Sequence, residues 1–165
     1  LAIFETKKQM QRFGKIFLAI MVCLAVGFLS SFATQSSVID WYPTLVKPFF
    51  NPPSWVFAPV WTLLYIMMGI AAGLVWSKAM PIKAKIPAIG FFTLQLGLNA
   101  LWSILFFGFK NPLLALVEII FLWICIYQTY RHFYQIQPVA GKLLLPYLAW
   151  VSFASILNFS IWWLN

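Results

Sequence analysis

WVFAPVWTLLYIMMGIAAGLVW, residues 55–76, contains no charged side chain and no His. A helix of about 20 such residues spans the ~30 Å hydrocarbon core of a bilayer. The rest of the chain decides whether this is a membrane span or a buried helix. Of the 165 residues, 63% are hydrophobic and 8% charged, against roughly 25% charged in a soluble domain. Such a chain cannot cover itself with a polar surface. Working outward, four more stretches of the same kind follow, at residues 13–34, 86–107, 112–130 and 143–163. A single signal peptide does not explain apolar character that runs from end to end. The expected fold is an all-α integral membrane protein, one domain over residues 1–165 built as a five-transmembrane-helix bundle.

The formal net charge of +8 would suggest nucleic acid in a soluble protein. Here the cations fall between apolar runs, where topology and anionic lipid headgroups account for them, so nucleic acid is excluded as a partner. Nine of them (Lys7, Lys8, Arg12, Lys15, Lys78, Lys83, Lys85, Arg131 and Lys142) fall on one side, and only Lys47 and Lys110 on the other. The positive-inside rule then puts the N-terminus inside and, after five crossings, the C-terminus outside. The first connection, QSSVIDWYPTLVKPFFNPPS at residues 35–54, is stiffened by Pro43, Pro48, Pro52 and Pro53. It carries Trp41, Tyr42, Leu45, Phe49 and Phe50, which suits a structured lid over the helix ends better than a solvated linker.

Polar and aromatic residues inside spans carry the functional information, because lipid gives little hydrophobic drive between helices. Gln95, Asn99 and Trp102 share one helical face, as do Trp61, Tyr65 and Met68. Tyr147, Trp150, Ala154 and Leu157 align along a third, with Asn158 beside them. Two readings are open on spacing alone. The stripes line an apolar cavity for a flat ligand, with indole N–H groups and the Asn99 amide orienting it, or they glue helices together. Glu118 is an intramembrane carboxyl and a candidate for proton coupling, weighed against a protonated or hydrogen-bonded residue at a helix interface. His132 reads as a solvated residue, Trp123 as facing lipid or a second subunit, and Cys23 and Cys125 as small hydrophobes. Gly69 and Gly73 permit close helix approach. No nucleophile–base pair, metal-ligand cluster or phosphate loop is legible, so neither catalytic nor metal residues are assigned.

Three blocks together resemble the translocator-protein family, the tryptophan-rich sensory proteins (TspO/MBR). They are WYPTLVKPFFNPPSWVFAPVWTLLYIMMG at residues 41–69, QLGLNALWSILFFG at 95–108 and PYLAWVSFASILNFSIWWLN at 146–165. ALVE, ending at Glu118, resembles the family's acidic position in the fourth helix. The resemblance implies a five-helix bundle, commonly a homodimer, that binds porphyrins, sterols and benzodiazepine-type ligands beneath the first loop. Carried over by position, Trp61, Asn99, Trp102, Trp150, Ala154 and Leu157 belong to the pocket, and this favours the cavity reading. Phe50 departs from the family's usual Trp. Phe159 and Trp163 replace the Tyr and Arg of the mammalian sterol motif, and only Gly90 remains of a mammalian glycine pair.

The expected function is therefore a membrane receptor or sensor for porphyrins, with protoporphyrin IX or haem as ligand rather than obligatory cofactor. The ligand-contacting set is Trp41, Trp61, Tyr65, Gln95, Asn99, Trp102, Tyr147, Trp150, Ala154 and Leu157. Lys47 is a candidate partner for a propionate. Two alternatives stand beside it: a proton-coupled exporter of lipophilic compounds using Glu118, and light-dependent porphyrin breakdown with Trp61 and Trp150 as electron partners.

Overall fold

The computed structural model describes the backbone of residues 2–165 and side chains from residue 5. It contains five spans long and apolar enough to cross a membrane. Helix α1 (Ala2–Asp40) leads through a 3-10 turn (Tyr42–Thr44) into a loop, and α2 (Ser54–Ser77) follows. Next come α3 (Ile82–Ser103), continued by a π-helical turn (Ile104–Gly108), and α4 (Pro112–Ile136). The short α5 (Pro138–Lys142) and α6 (Leu145–Leu164) together make the fifth span.

The first helix runs on to Asp40, past the expected end at Thr34. Its only breaker, Pro43, lies beyond that end, and two hydroxyls near the expected end bond back into the helix. Ser30 Oγ donates to the Val26 carbonyl (2.8 Å) and Thr34 Oγ1 to the Ser30 carbonyl (2.9 Å). The lid loop thus begins at Trp41 and not at Gln35. At 1.5 Å per residue, α1 is about 58 Å long, well beyond the hydrocarbon thickness. It packs along α2 through Gly69 and Gly73, where a Cβ would collide with the backbone of Ile20 and Ile16 respectively. The small-residue pair of α2 therefore serves contact within the chain. Gly90 and Gly97 on α3 instead face open space.

Proline and asparagine set the other starts. Asn111 caps α4 by accepting the Leu114 N–H (3.0 Å), with Pro112 in the first turn, where a missing N–H costs nothing. Lys85, expected among the inner-side cations, is buried and donates to the carbonyls of Trp76 (2.8 Å) and Lys78 (2.6 Å) at the end of α2. His132 is half-buried and stacked on Phe91 with ring centres 5.4 Å apart, so it is not a solvated residue. Trp123 likewise departs from expectation. Its indole donates to Ser152 Oγ (2.8 Å), and the half-buried ring joins α4 to α6 instead of facing lipid.

The main core unites α1, α2, α3, α4 and α6 around Met68, Ile126 and Tyr147. A second cluster of Tyr42, Leu105, Phe106, Ala115, Leu157 and Ile161 forms where the loop meets the ends of α3, α4 and α6. Between these two clusters lies an unfilled volume.

Candidate functional site: an aromatic cavity under the loop

That volume is a cavity of about 570 Å³, inside the range of small-molecule sites. Trp61 and Tyr65 of α2 line it, with Asn99 and Trp102 of α3 and Trp150, Ala154 and Leu157 of α6. Each of these follows from an i, i+3/i+4 stripe turned to one side of its helix. Ring contacts fix the walls. Phe57 meets Trp150 edge-on at 6.1 Å, Trp61 lies 5.8 Å from Tyr65, and Trp102 stacks on Phe106 at 5.2 Å. The π turn follows Trp102 and Ser103 and contains Phe106 and Phe107, all four of which line the cavity; such turns often mark functional sites.

Three expected contact residues lie elsewhere. Gln95 and Tyr147 are fully buried behind the wall, in a chain of hydrogen bonds that begins at the cavity. Tyr65 OH donates to Asn99 Oδ1 (2.6 Å), Asn99 Nδ2 to Tyr147 OH (2.8 Å), and Tyr147 OH to Gln95 Oε1 (2.9 Å). Trp41 packs edge-on against Phe106 at 5.7 Å and borders a separate outer pocket. Asn99 thus has two protein partners and is no free ligand hook. Trp102 is also engaged, donating to Asn158 Oδ1 (3.0 Å), whose amide donates to the Pro112 carbonyl (2.8 Å). The indole N–H groups of Trp61 and Trp150 have no hydrogen-bond partner among the described residues.

The α1 wall was not anticipated from sequence. Leu24, Gly27, Ser30, Ser31 and Thr34 line the cavity from that side. Gly27 is required there, because a Cβ would overlap the Tyr65 ring. Scattered small and hydroxyl residues in an apolar run look like ordinary helix packing; the only signal was their concentration, SSFATQSS, late in the span. Phe28, Ser31 and Val38 of α1 and Ser54, Ala58 and Thr62 of α2 line the cavity while remaining exposed. The cavity therefore opens sideways between these two helices.

The loop closes the end. Asn165 clamps Val46, accepting its N–H and donating to its carbonyl, both at 2.9 Å. Tyr42 OH donates to Asn51 Oδ1 (2.9 Å); burial raises its phenol above the ordinary range, and that bond partly offsets the rise. Lys47 turns back on the loop, donating to the carbonyls of Pro43 (3.3 Å) and Leu45 (3.2 Å) and lying 4.9 Å over the Tyr42 ring. It does not line the cavity, so a propionate contact is not part of this geometry. Both carboxylate oxygens of Glu118 are buried without a hydrogen-bond partner, so it is not the hydrogen-bonded interface residue considered above. The described residues hold no cluster of His, Cys, Asp or Glu fit for a metal.

A five-span integral membrane protein with an aromatic cavity beneath an ordered loop is the class defined here. The comparisons make it specific. The TspO/MBR family profile matches residues 19–164. Among relatives, a tryptophan-rich protein TspO from Archaeoglobus fulgidus is 50% identical over 151 residues, covering 92% of this chain and 97% of its own. The Homo sapiens translocator protein is 39% identical over 137 residues, covering 82% and 80%. A tryptophan-rich sensory protein from Cereibacter sphaeroides is 38% identical over 126 residues, covering 76% and 77%. The chain belongs to the TspO/MBR family.

Proposed function

We propose that this protein binds flat, largely apolar ligands of the porphyrin class in the cavity beneath the loop, and so acts in tetrapyrrole sensing or transport. The observation that carries the reading is the pair of unpartnered indole N–H groups, of Trp61 and Trp150, on the walls of a cavity rich in aromatic side chains. In an apolar setting an unmet donor is costly, and a ligand carbonyl or carboxylate relieves that cost. The kinship with sensory and translocator proteins supports the reading. Titration with protoporphyrin IX, followed by Trp fluorescence, tests it. Saturable quenching at micromolar ligand is expected, and its absence sinks the proposal. The same reading takes the N-terminus to lie inside, from nine cations against two. It also takes the protein to be a homodimer, with the open Gly90 face of α3 allowing a second copy close approach.

One observation favours a second reading, a proton-coupled exporter: the sealed, partnerless carboxyl of Glu118. Intramembrane carboxyls of this kind commonly belong to proton relays. Glu118→Gln in vesicles separates the two, since unchanged efflux of a lipophilic cation removes the exporter.

A further inference from the structure

We infer that Ser30 and Thr34 of α1 form the acceptor side of the cavity, selecting aryl ligands with an N–H or O–H donor on one edge and an acceptor on the other. The inference rests on the cavity reading above and names the ligand chemistry within it.

Both side chains line the cavity one helical turn apart, and both are more than nine-tenths buried, at 7% and 4% exposure. Their hydroxyl hydrogens are committed to backbone carbonyls one turn earlier, Ser30 to Val26 and Thr34 to Ser30. A hydroxyl bonded back in this way keeps its lone pairs and offers no donor. Neither oxygen accepts a hydrogen bond from any described residue, so each faces the cavity as an acceptor only. The other walls have the opposite sense. The Trp61 and Trp150 N–H groups are donors only, while Tyr65, Asn99 and Trp102 are engaged with protein partners. Helix α1 packs chiefly on α2 and α3, whereas Trp150 lines the cavity from α6. Ser31, Ser54 and Ser103 also line the site with unengaged hydroxyls; these act in either sense and do not discriminate. Thr62 of α2, bonded back to the Ala58 carbonyl (2.8 Å), is a further acceptor but lies on the exposed rim; among the less exposed lining groups the back-bonded acceptors are on α1 and the free donors on α2 and α6. A ligand with acceptors alone satisfies one side and leaves the other desolvated and unmet.

The test uses two 1,4-benzodiazepin-2-ones identical except for N–H or N-methyl at the lactam nitrogen, with protoporphyrin IX run alongside. Wild-type protein is expected to prefer the N–H compound. The Ser30→Ala, Thr34→Val double variant should weaken that compound about tenfold and change the N-methyl compound by less than about twofold. Thr34→Ser, which keeps the hydroxyl, should restore most of the preference in the Ser30 wild-type background. The single variants are read separately if the double variant melts early. Equal losses for both compounds, no loss for either, or no wild-type preference overturns the inference. If porphyrin binds and neither lactam does, the inference fails and the cavity reading stands. If nothing binds, the cavity reading itself has failed.

Discussion

Asn99 and Trp150 line one cavity, but Asn99 is held by two tyrosines while the Trp150 indole N–H has no partner among the described residues. Their substitutions should therefore separate. Asn99→Leu strands the Tyr65 hydroxyl in a dry interior and leaves Tyr147 only its bond to Gln95, at a cost on the order of 1–3 kcal/mol. A lowered melting temperature in detergent is expected, whatever happens to ligand. Trp150→Phe keeps most of the ring and breaks no protein hydrogen bond. It should melt near wild type and weaken porphyrin about tenfold; a matching drop in melting temperature would make Trp150 a packing residue instead. Glu118 gives the opposite sign. Removing a buried polar group with no partner is stabilising, so Glu118→Leu should raise the melting temperature, by about 1 kcal/mol of stability. A lower value would mean that the carboxyl is satisfied by water or lipid. At this scale the sequence made the Trp and Asn stripes legible, because helical spacing fixes which side chains share a face. It hid their hydrogen-bond partners, which depend on how neighbouring helices are rotated. That is why Gln95, Tyr147 and Trp123 were misplaced.

The elements divide into those with their own stop signals and those without. Asn111–Pro112 and the paired Pro52–Pro53 mark the starts of α4 and α2 in plain sequence. The end of α1 has no such mark before Pro43, so the polar run at residues 35–40 reads as loop although the helix continues through it to Asp40. Helix pairing was legible only as the GxxxG of α2, whose partner proved to be α1. Gly73→Val should push α1 off α2 and lower the melting temperature by the equivalent of 2 kcal/mol or more. Gly90→Val, placed where nothing lies within 4 Å, should leave the monomer's stability nearly unchanged. The loop offers a third comparison. Asn165→Ala removes both bonds to Val46. Amide exchange at residues 41–53 should then accelerate while exchange in α4 stays as it was; uniform exchange would show that the clamp does not govern the loop.

For the whole molecule, five apolar runs sufficed to give the architecture, since bilayer thickness leaves few alternatives for a chain this apolar. What the runs withheld is how the cavity meets its surroundings. Because it opens between α1 and α2 onto the exposed flanks of both helices, the proposed ligands would reach it through the bilayer and not from water. The reservoir that matters is then two-dimensional. Occupancy is set by the ligand's mole fraction among lipids, and its aqueous concentration counts only through partitioning. Diluting a fixed amount of porphyrin into more vesicles, at constant protein and total ligand, should lower occupancy in proportion to added lipid. Under the proposed function, a protein so arranged would read the loading of its membrane, and two cells with equal dissolved porphyrin but unequal membrane area would present it with different signals.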